Sequence, residues 1–172
     1  MNKTKKTALI GLMLAVIAIL SAFEHMLLPP LPFLPPNMKL GLSNVIIMYC
    51  VFFIGKPQAV SLNIAKSQFV LLLRGPNAAT LSFCGGMLSV CAVILTVRIF
   101  RERASYVYVS VTGAVAHNIG QFAAVSVLTG SPYIIYYLPV LLIAGVVLGT
   151  VTGALLKIIM PAFHRIFNFN QT

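Results

Sequence analysis

The chain is 172 residues long, 59% hydrophobic and only 8% charged, with a mean hydropathy of +0.99. A soluble domain carries roughly 25% charged residues, so globular, disordered and disulfide-scaffold classes are excluded and an integral membrane protein remains. Twelve Lys and Arg face two acids, Glu24 and Glu102, and there is no Asp. Aspartate-rich Mg²⁺ sites, Asp nucleophiles and Asp-containing triads are therefore impossible, and without a phosphate-binding GxxxxGK loop the chain alone hydrolyses no nucleotide. The basic residues lie between apolar runs and form no soluble basic domain, so they imply a lipid bilayer and no nucleic acid.

In chain order, the apolar runs predict an all-α protein with one membrane domain of six transmembrane helices. The first span, about 7–28, follows Lys3, Lys5 and Lys6. Its apolar stretch exceeds the 7–15 residues of a signal-peptide core, and Glu24-His25 and prolines follow in place of a small-residue cleavage site, so it reads as a retained helix. The prolines of the run Pro29–Pro36 lack N–H donors and clash with a preceding helical turn, so the run reads as an extended loop. Spans two and three, about 40–54 and 58–73, are short against the ~20 residues of a straight crossing. Gly55-Lys56-Pro57, Arg74-Gly75-Pro76-Asn77 and Thr129-Gly130-Ser131-Pro132 are turns. They separate these spans from the remaining three, about 81–100, 104–128 and 133–159, with a charged turn at 98–103. The tail around His164 and Arg165 reads as an interfacial segment. Cys50, Cys84 and Cys91 lie in apolar runs with no CxxC, as small buried residues.

With the N-terminus inside, the inner loops and tails carry Lys3, Lys5, Lys6, Lys56, Arg98, Arg101, Arg103, Lys157 and Arg165, and the outer side carries only Lys39 and Arg74. This asymmetry predicts a multi-pass protein of the cytoplasmic membrane with both termini cytoplasmic. Small residues mark packing faces: Ala8, Gly11, Ala15, Ala18 and Ala22 in the first span, Ala116, Gly120 and Ala124 in the fifth, and Gly145, Gly149 and Gly153 in the sixth. The last two read as internal packing. The first is either internal or a surface for another membrane subunit.

Polar residues inside the spans identify the candidate site. Lys66 stands nine residues past Pro57, about 13 Å along a helix and so near mid-bilayer, where an unpaired cation costs roughly 2.5–3.5 kcal/mol. Asn63, Lys66 and Arg74 share one arc of the third span, and His117, Asn118 and Gln121 lie in the middle of the fifth. Glu24, Lys39 and Asn44 stand at the outer ends of the first two spans. These nine residues predict a ligand pocket open to the outside and closed below. Lys39, Lys66 and Arg74 against Glu24 leave it cationic, which favours a small anionic or amphipathic ligand: carboxylate, phosphate or diphosphate. The other reading pairs Lys66 with Glu24 and makes the amides helix bridges. His117 has no second His or acid at ligand spacing, so no metal, cofactor or catalytic residue is expected.

Four segments carry a family resemblance: Lys39-Leu40-Gly41-Leu42-Ser43-Asn44, Ser82-Phe83-Cys84-Gly85-Gly86-Met87-Leu88-Ser89, Gly113-Ala114-Val115-Ala116-His117-Asn118-Ile119-Gly120-Gln121 and Tyr137-Leu138-Pro139-Val140. Together they resemble the Gx transporter family, also labelled heptaprenyl diphosphate synthase component I, over about residues 7–158. That family is similar to the S components of energy-coupling factor (ECF) importers. The resemblance implies a compact S-component-like bundle that takes up a vitamin or other micronutrient. It also implies a transmembrane coupling subunit and two cytoplasmic ATPases as partners, docked through Gly11, Ala15, Ala18 and Ala22. The synthase label fits poorly, because prenyl diphosphate synthases hold Mg²⁺ on aspartates. Two alternatives to an importer subunit stay open: an accessory membrane protein of prenyl diphosphate or quinone metabolism, and a flavin- or quinone-holding part of a membrane redox complex.

Overall fold

A computed structural model describes residues 3–27, 43–100 and 104–167. Among them every regular element is helical: α1 (Lys3–Leu27), α2 (Asn44–Phe53), α3 (Lys56–Phe100), α4 (Tyr106–Thr129), a 3₁₀ turn (Pro132–Tyr137) and α5 (Leu138–Phe167). Four stretches are long and apolar enough to cross a membrane, Lys6–Phe23, Lys56–Phe100, Tyr106–Thr129 and Tyr133–Ile158. Large apolar side chains face outward all along them, among them Ile19, Leu72, Leu95, Val127, Ile143 and Ile158. A soluble protein does not present contiguous apolar surface on this scale. A lipid-facing one must.

The described chain thus has five α-helices where the sequence predicts six. The third and fourth expected spans are two arms of α3, which joins them without a loop. One residue makes the turn: Gly75 has φ 82° and ψ 180°, a conformation essentially reserved for glycine. Pro76 follows at the start of the second arm, where a missing N–H removes no helical bond. The arms fold back on each other. Asn63 lies directly over Gly86, filling the space a Cβ would take there, although a straight helix would hold these two residues ~34 Å apart. The second expected span is also shorter than a crossing. The 10 residues of α2 reach only about 15 Å, and the helix ends at Gly55, whose N–H bonds to the Cys50 carbonyl at 2.9 Å.

The remaining helix ends follow local chemistry. Ser105 caps α4, its hydroxyl accepting from the Tyr108 N–H at 3.2 Å. Gly130 closes that helix in the left-handed region, φ 60°, as helix C-termini favour. From there α5 returns antiparallel along α4. Gly145, Gly149 and Gly153 stand one turn apart and lie against the backbones of Val115, Val111 and Val107 in that order. This confirms the glycine series of the last helix as internal packing. Gly120 of α4 similarly lies on Cys84 and Gly85 of α3.

Helix α1 is peripheral and packs only against α2 and α3 among the described residues. Its buried stripe is Leu9, Met13, Ile17 and Ser21, one residue every turn. The small-residue seam lies off that stripe. Ala8, Gly11 and Ala15 are exposed and Ala18 and Ala22 half-buried, and a Cβ on Gly11 would meet nothing within 4 Å. The proline-rich run at 29–36 and Lys39 lie outside the described residues, as do residues 101–103 of the charged turn and the end of the tail, whereas residues 98–100 are the last of α3.

The core has two apolar clusters. One joins α1, α2 and the far ends of the α3 arms, with Ile17, Met48, Leu62, Val93 and Val109. The other, near the Gly75 fold, holds Leu81, Ala124, Val125 and Ile134. Along α3 and α4 a polar layer separates them.

Candidate ligand-binding site

The polar layer is built by the fold of α3. Turning at Gly75 lays Asn63 of the first arm against Gly86 of the second, with Lys66 and Ser67 one turn along the first arm from Asn63 and Ser82 and Ser89 one turn to either side of Gly86. Gly85 and Gly86, neighbours in sequence, point to different sides of the second arm. Gly86 receives Asn63, and Gly85 receives His117 and Gln121 of α4. Without Cβ atoms here, three helical segments meet at polar side chains.

Lys66 is 1% exposed, and its ammonium donates to the Asn44 Oδ1 at 2.6 Å. This bond ties the middle of α3 to the first turn of α2. His117 and Gln121 bond through their Nε2 atoms at 2.8 Å, as their four-residue spacing predicts. Below this layer, toward the end where Lys56 and Tyr106 lie, is a cavity of about 30 Å³. Its polar walls are Asn44, Ser89, Ser110, His117 and Thr152, with Gly86 and Gly113 providing clearance. The Ser110 and Thr152 hydroxyls share a hydrogen bond of 2.7 Å. The cavity has room for about two water molecules.

Five of the nine predicted site residues come together with this cavity directly or through one neighbour. Asn44 and His117 line it, Lys66 bonds to Asn44 and Gln121 bonds to His117. Asn63, over Gly86, is a fifth. Asn118 does not join them. It points to the other side of α4, where its Nδ2 donates to the Leu141 carbonyl at 2.7 Å, and it joins helices as a bridge. Arg74 is half-buried beside Gly75, eight residues or about 12 Å from Lys66, so it stands apart at the end of the fold. Lys39 and the Glu24 side chain lie outside the described residues.

The cavity also departs from the expected pocket in position. It extends away from the Gly75 end, the end the sequence assigns to the outside. Sequence reasoning misses Ser89, Ser110 and Thr152. Their hydroxyls give a weak sequence signal, since serine and threonine commonly bond to their own helix backbone, as Thr152 does to Leu148 at 2.8 Å. Their helical spacing to glycine (Ser89 after Gly86, Ser110 before Gly113, Thr152 after Gly149) is the available clue. Among the described residues no three of His, Cys, Asp and Glu come together as metal ligands.

The helical hairpin of α3, the antiparallel α4–α5 pair and the peripheral α1 define a polytopic, all-α membrane protein with the S-component fold. A solved structure described as the S component of a bacterial ECF transporter superposes with a TM-score of 0.60 at 19% identity, covering 99% of this chain and 100% of that one. The sequence matches the family heptaprenyl diphosphate synthase component I over residues 13–159, and the chain belongs to that family. No curated protein matches it.

Proposed function

We propose that this protein is the substrate-binding membrane subunit of an ECF-type importer, without catalytic activity of its own. It would capture a small anionic or amphipathic micronutrient and dock on a transmembrane coupling subunit driven by cytoplasmic ATPases. The observation that carries the reading is the direction of the α1 seam. Small residues on a membrane helix serve close backbone approach. Here Gly11 and Ala15 face away from the other described helices, so a second helix is what would use them. The shared fold with an S component supports the same reading. Both termini and the basic ends of the helices would lie in the cytoplasm, beside the ATPases.

The ligand would bind at the polar layer, with Lys66 meeting its anionic group and Asn44, Asn63, His117 and Gln121 around it. Arg74 and Lys39 would stand at the entrance. A micronutrient needs a site of about 300 Å³ or more, so the helices around the 30 Å³ cavity would part to admit it.

Co-expression with a coupling subunit and its ATPases tests the docking step. The tagged wild-type chain should bring the module through purification. Ala15→Trp should abolish this while folded yield is retained. Equal recovery of the module by both proteins would refute the role of α1, and loss of folded yield in Ala15→Trp would make its seam an internal face.

A further inference from the structure

Three side chains around Gly85 and Gly86 carry polar atoms that no hydrogen bond satisfies among the described residues: both amide atoms of Asn63, Oε1 of Gln121 and the hydroxyl of Ser82. All are deeply buried, at 0%, 1% and 2% exposure. Buried amide groups are nearly always paired, because the water they lose must be replaced. They come from both arms of α3 and from α4, Asn63 and Gln121 each one residue behind the wall of the same cavity. Asn63 sits behind Gly86 and Gln121 behind His117, and both Gly86 and His117 line the cavity. Ser82 is one turn before Gly86 on the same arm.

The chemistry of these atoms is mixed. Asn63 Nδ2 and the Ser82 hydroxyl can donate, whereas Asn63 Oδ1 and Gln121 Oε1 are carbonyl oxygens that only accept. A plain anion brings acceptors alone. It would suit Lys66 and the donors but leave both carbonyl oxygens buried without a partner, which is the costly outcome. A prenyl diphosphate or a fatty acid has this defect.

We infer that the site recognises an acid that also carries N–H donors next to carbonyl acceptors, such as a ureido, lactam or pyrimidine ring bearing a carboxylate. The anionic group would face Lys66, and the ring edge would pair with Asn63 and Gln121. This rests on the proposed substrate-binding role and narrows its ligand class.

Thermal unfolding of the purified full-length protein with millimolar probes tests the inference. Two probes carry N–H and carbonyl groups on an acid, orotate and 2-oxoimidazolidine-4-carboxylate. Two carry acceptors only, pyrophosphate and hexanoate. The first pair should raise the unfolding midpoint by about 3 °C or more, and the second pair should leave it unmoved. Asn63→Leu should abolish the shift while its own midpoint stays level or rises, since an unpaired amide is replaced by an apolar group of similar size. Gln121→Met gives the same readout from α4 should Asn63→Leu fail to fold. Protection by the acceptor-only pair as large as that by the N–H pair, protection by neither, or an undiminished shift in the variants overturns the inference. Co-purification with the importer module is independent of these probes. A chain that docks yet prefers acceptor-only acids refutes the ligand class alone, and one that prefers N–H acids yet never docks refutes the importer reading alone.

Discussion

Gly149 and Gly11 are both mid-helix glycines in small-residue series, but alanine should affect them in opposite directions. A Cβ on Gly149 would lie 2.6 Å from the Val111 Cα and 3.1 Å from the Ala114 Cβ. Ordinary carbon contacts are about 3.5–4.0 Å, and Val111 Cα is backbone, so no rotamer change can relieve the clash. Helices α4 and α5 must separate by roughly 1 Å along the contact, an overpacking penalty of about 1–3 kcal/mol. The helical preference of alanine over glycine offsets up to about 1 kcal/mol of this. The expected net effect is a loss of ~1–2 kcal/mol. At Gly11 nothing lies within 4 Å, so only the favourable term operates and the variant should gain up to ~1 kcal/mol. The protein has no Trp, so unfolding is best followed with a thiol-reactive dye. In a Cys91→Ser background, which removes the exposed thiol, the buried Cys50 reports loss of structure. Gly149→Ala should unfold several degrees below Gly11→Ala. A Gly149→Ala protein as stable as wild type, or an equal loss in Gly11→Ala, would refute the assignment of one series to the interior and the other to the outer face.

Two further changes probe the α3 hairpin. Gly75→Ala meets no neighbour, so its loss of about 1–3 kcal/mol should come from backbone strain alone; an unchanged midpoint in the same assay would mean the turn does not need a positive φ. Lys66→Met removes the ammonium bonded to Asn44 while keeping side-chain length. Folded yield should hold or rise, and binding of a co-purifying anion, followed by native mass spectrometry, should fall about tenfold to a hundredfold, from a charge-assisted bond of roughly 1.5–3 kcal/mol. Normal ligand recovery with collapse on purification would make Lys66 a structural ion-pair partner.

The membrane class and the polar middle of the chain are legible in the sequence because both are written in residue type. Few charges, no Asp and a lysine at the centre of an apolar run admit little else. The grouping of Lys66 with Asn44 and of His117 with Gln121 is partly legible from helical spacing and shared depth. What spacing does not give is direction across a helix. Asn118 and His117 are adjacent, yet one bonds to α5 and the other to Gln121. The turn at Arg74-Gly75-Pro76-Asn77 is readable from its residues, but not that a single glycine makes it while helix continues on both sides. The hydroxyl walls of the cavity are invisible because a serine at a helix contact and one bonded to its own backbone have the same sequence signature.

The α4–α5 pair has a property that follows from its regularity. Glycines at every fourth position face valines at every fourth position, so the surface repeats with each turn. A slide of one turn, about 6 Å, would still leave two of the three glycines seated on valine backbones. Shape alone is therefore a poor gauge of where the two helices should stop, like a ratchet whose teeth are all alike. What singles out one setting is the pair of polar contacts along it, Asn118 to the Leu141 carbonyl and Ser110 to Thr152. Each is modest, on the order of 1 kcal/mol, and neither recurs at the next turn. Four residues to either side of Asn118 stand Ala114 and Phe122, and neither side chain can donate to a carbonyl. In this interface the glycines supply closeness and two polar contacts supply address.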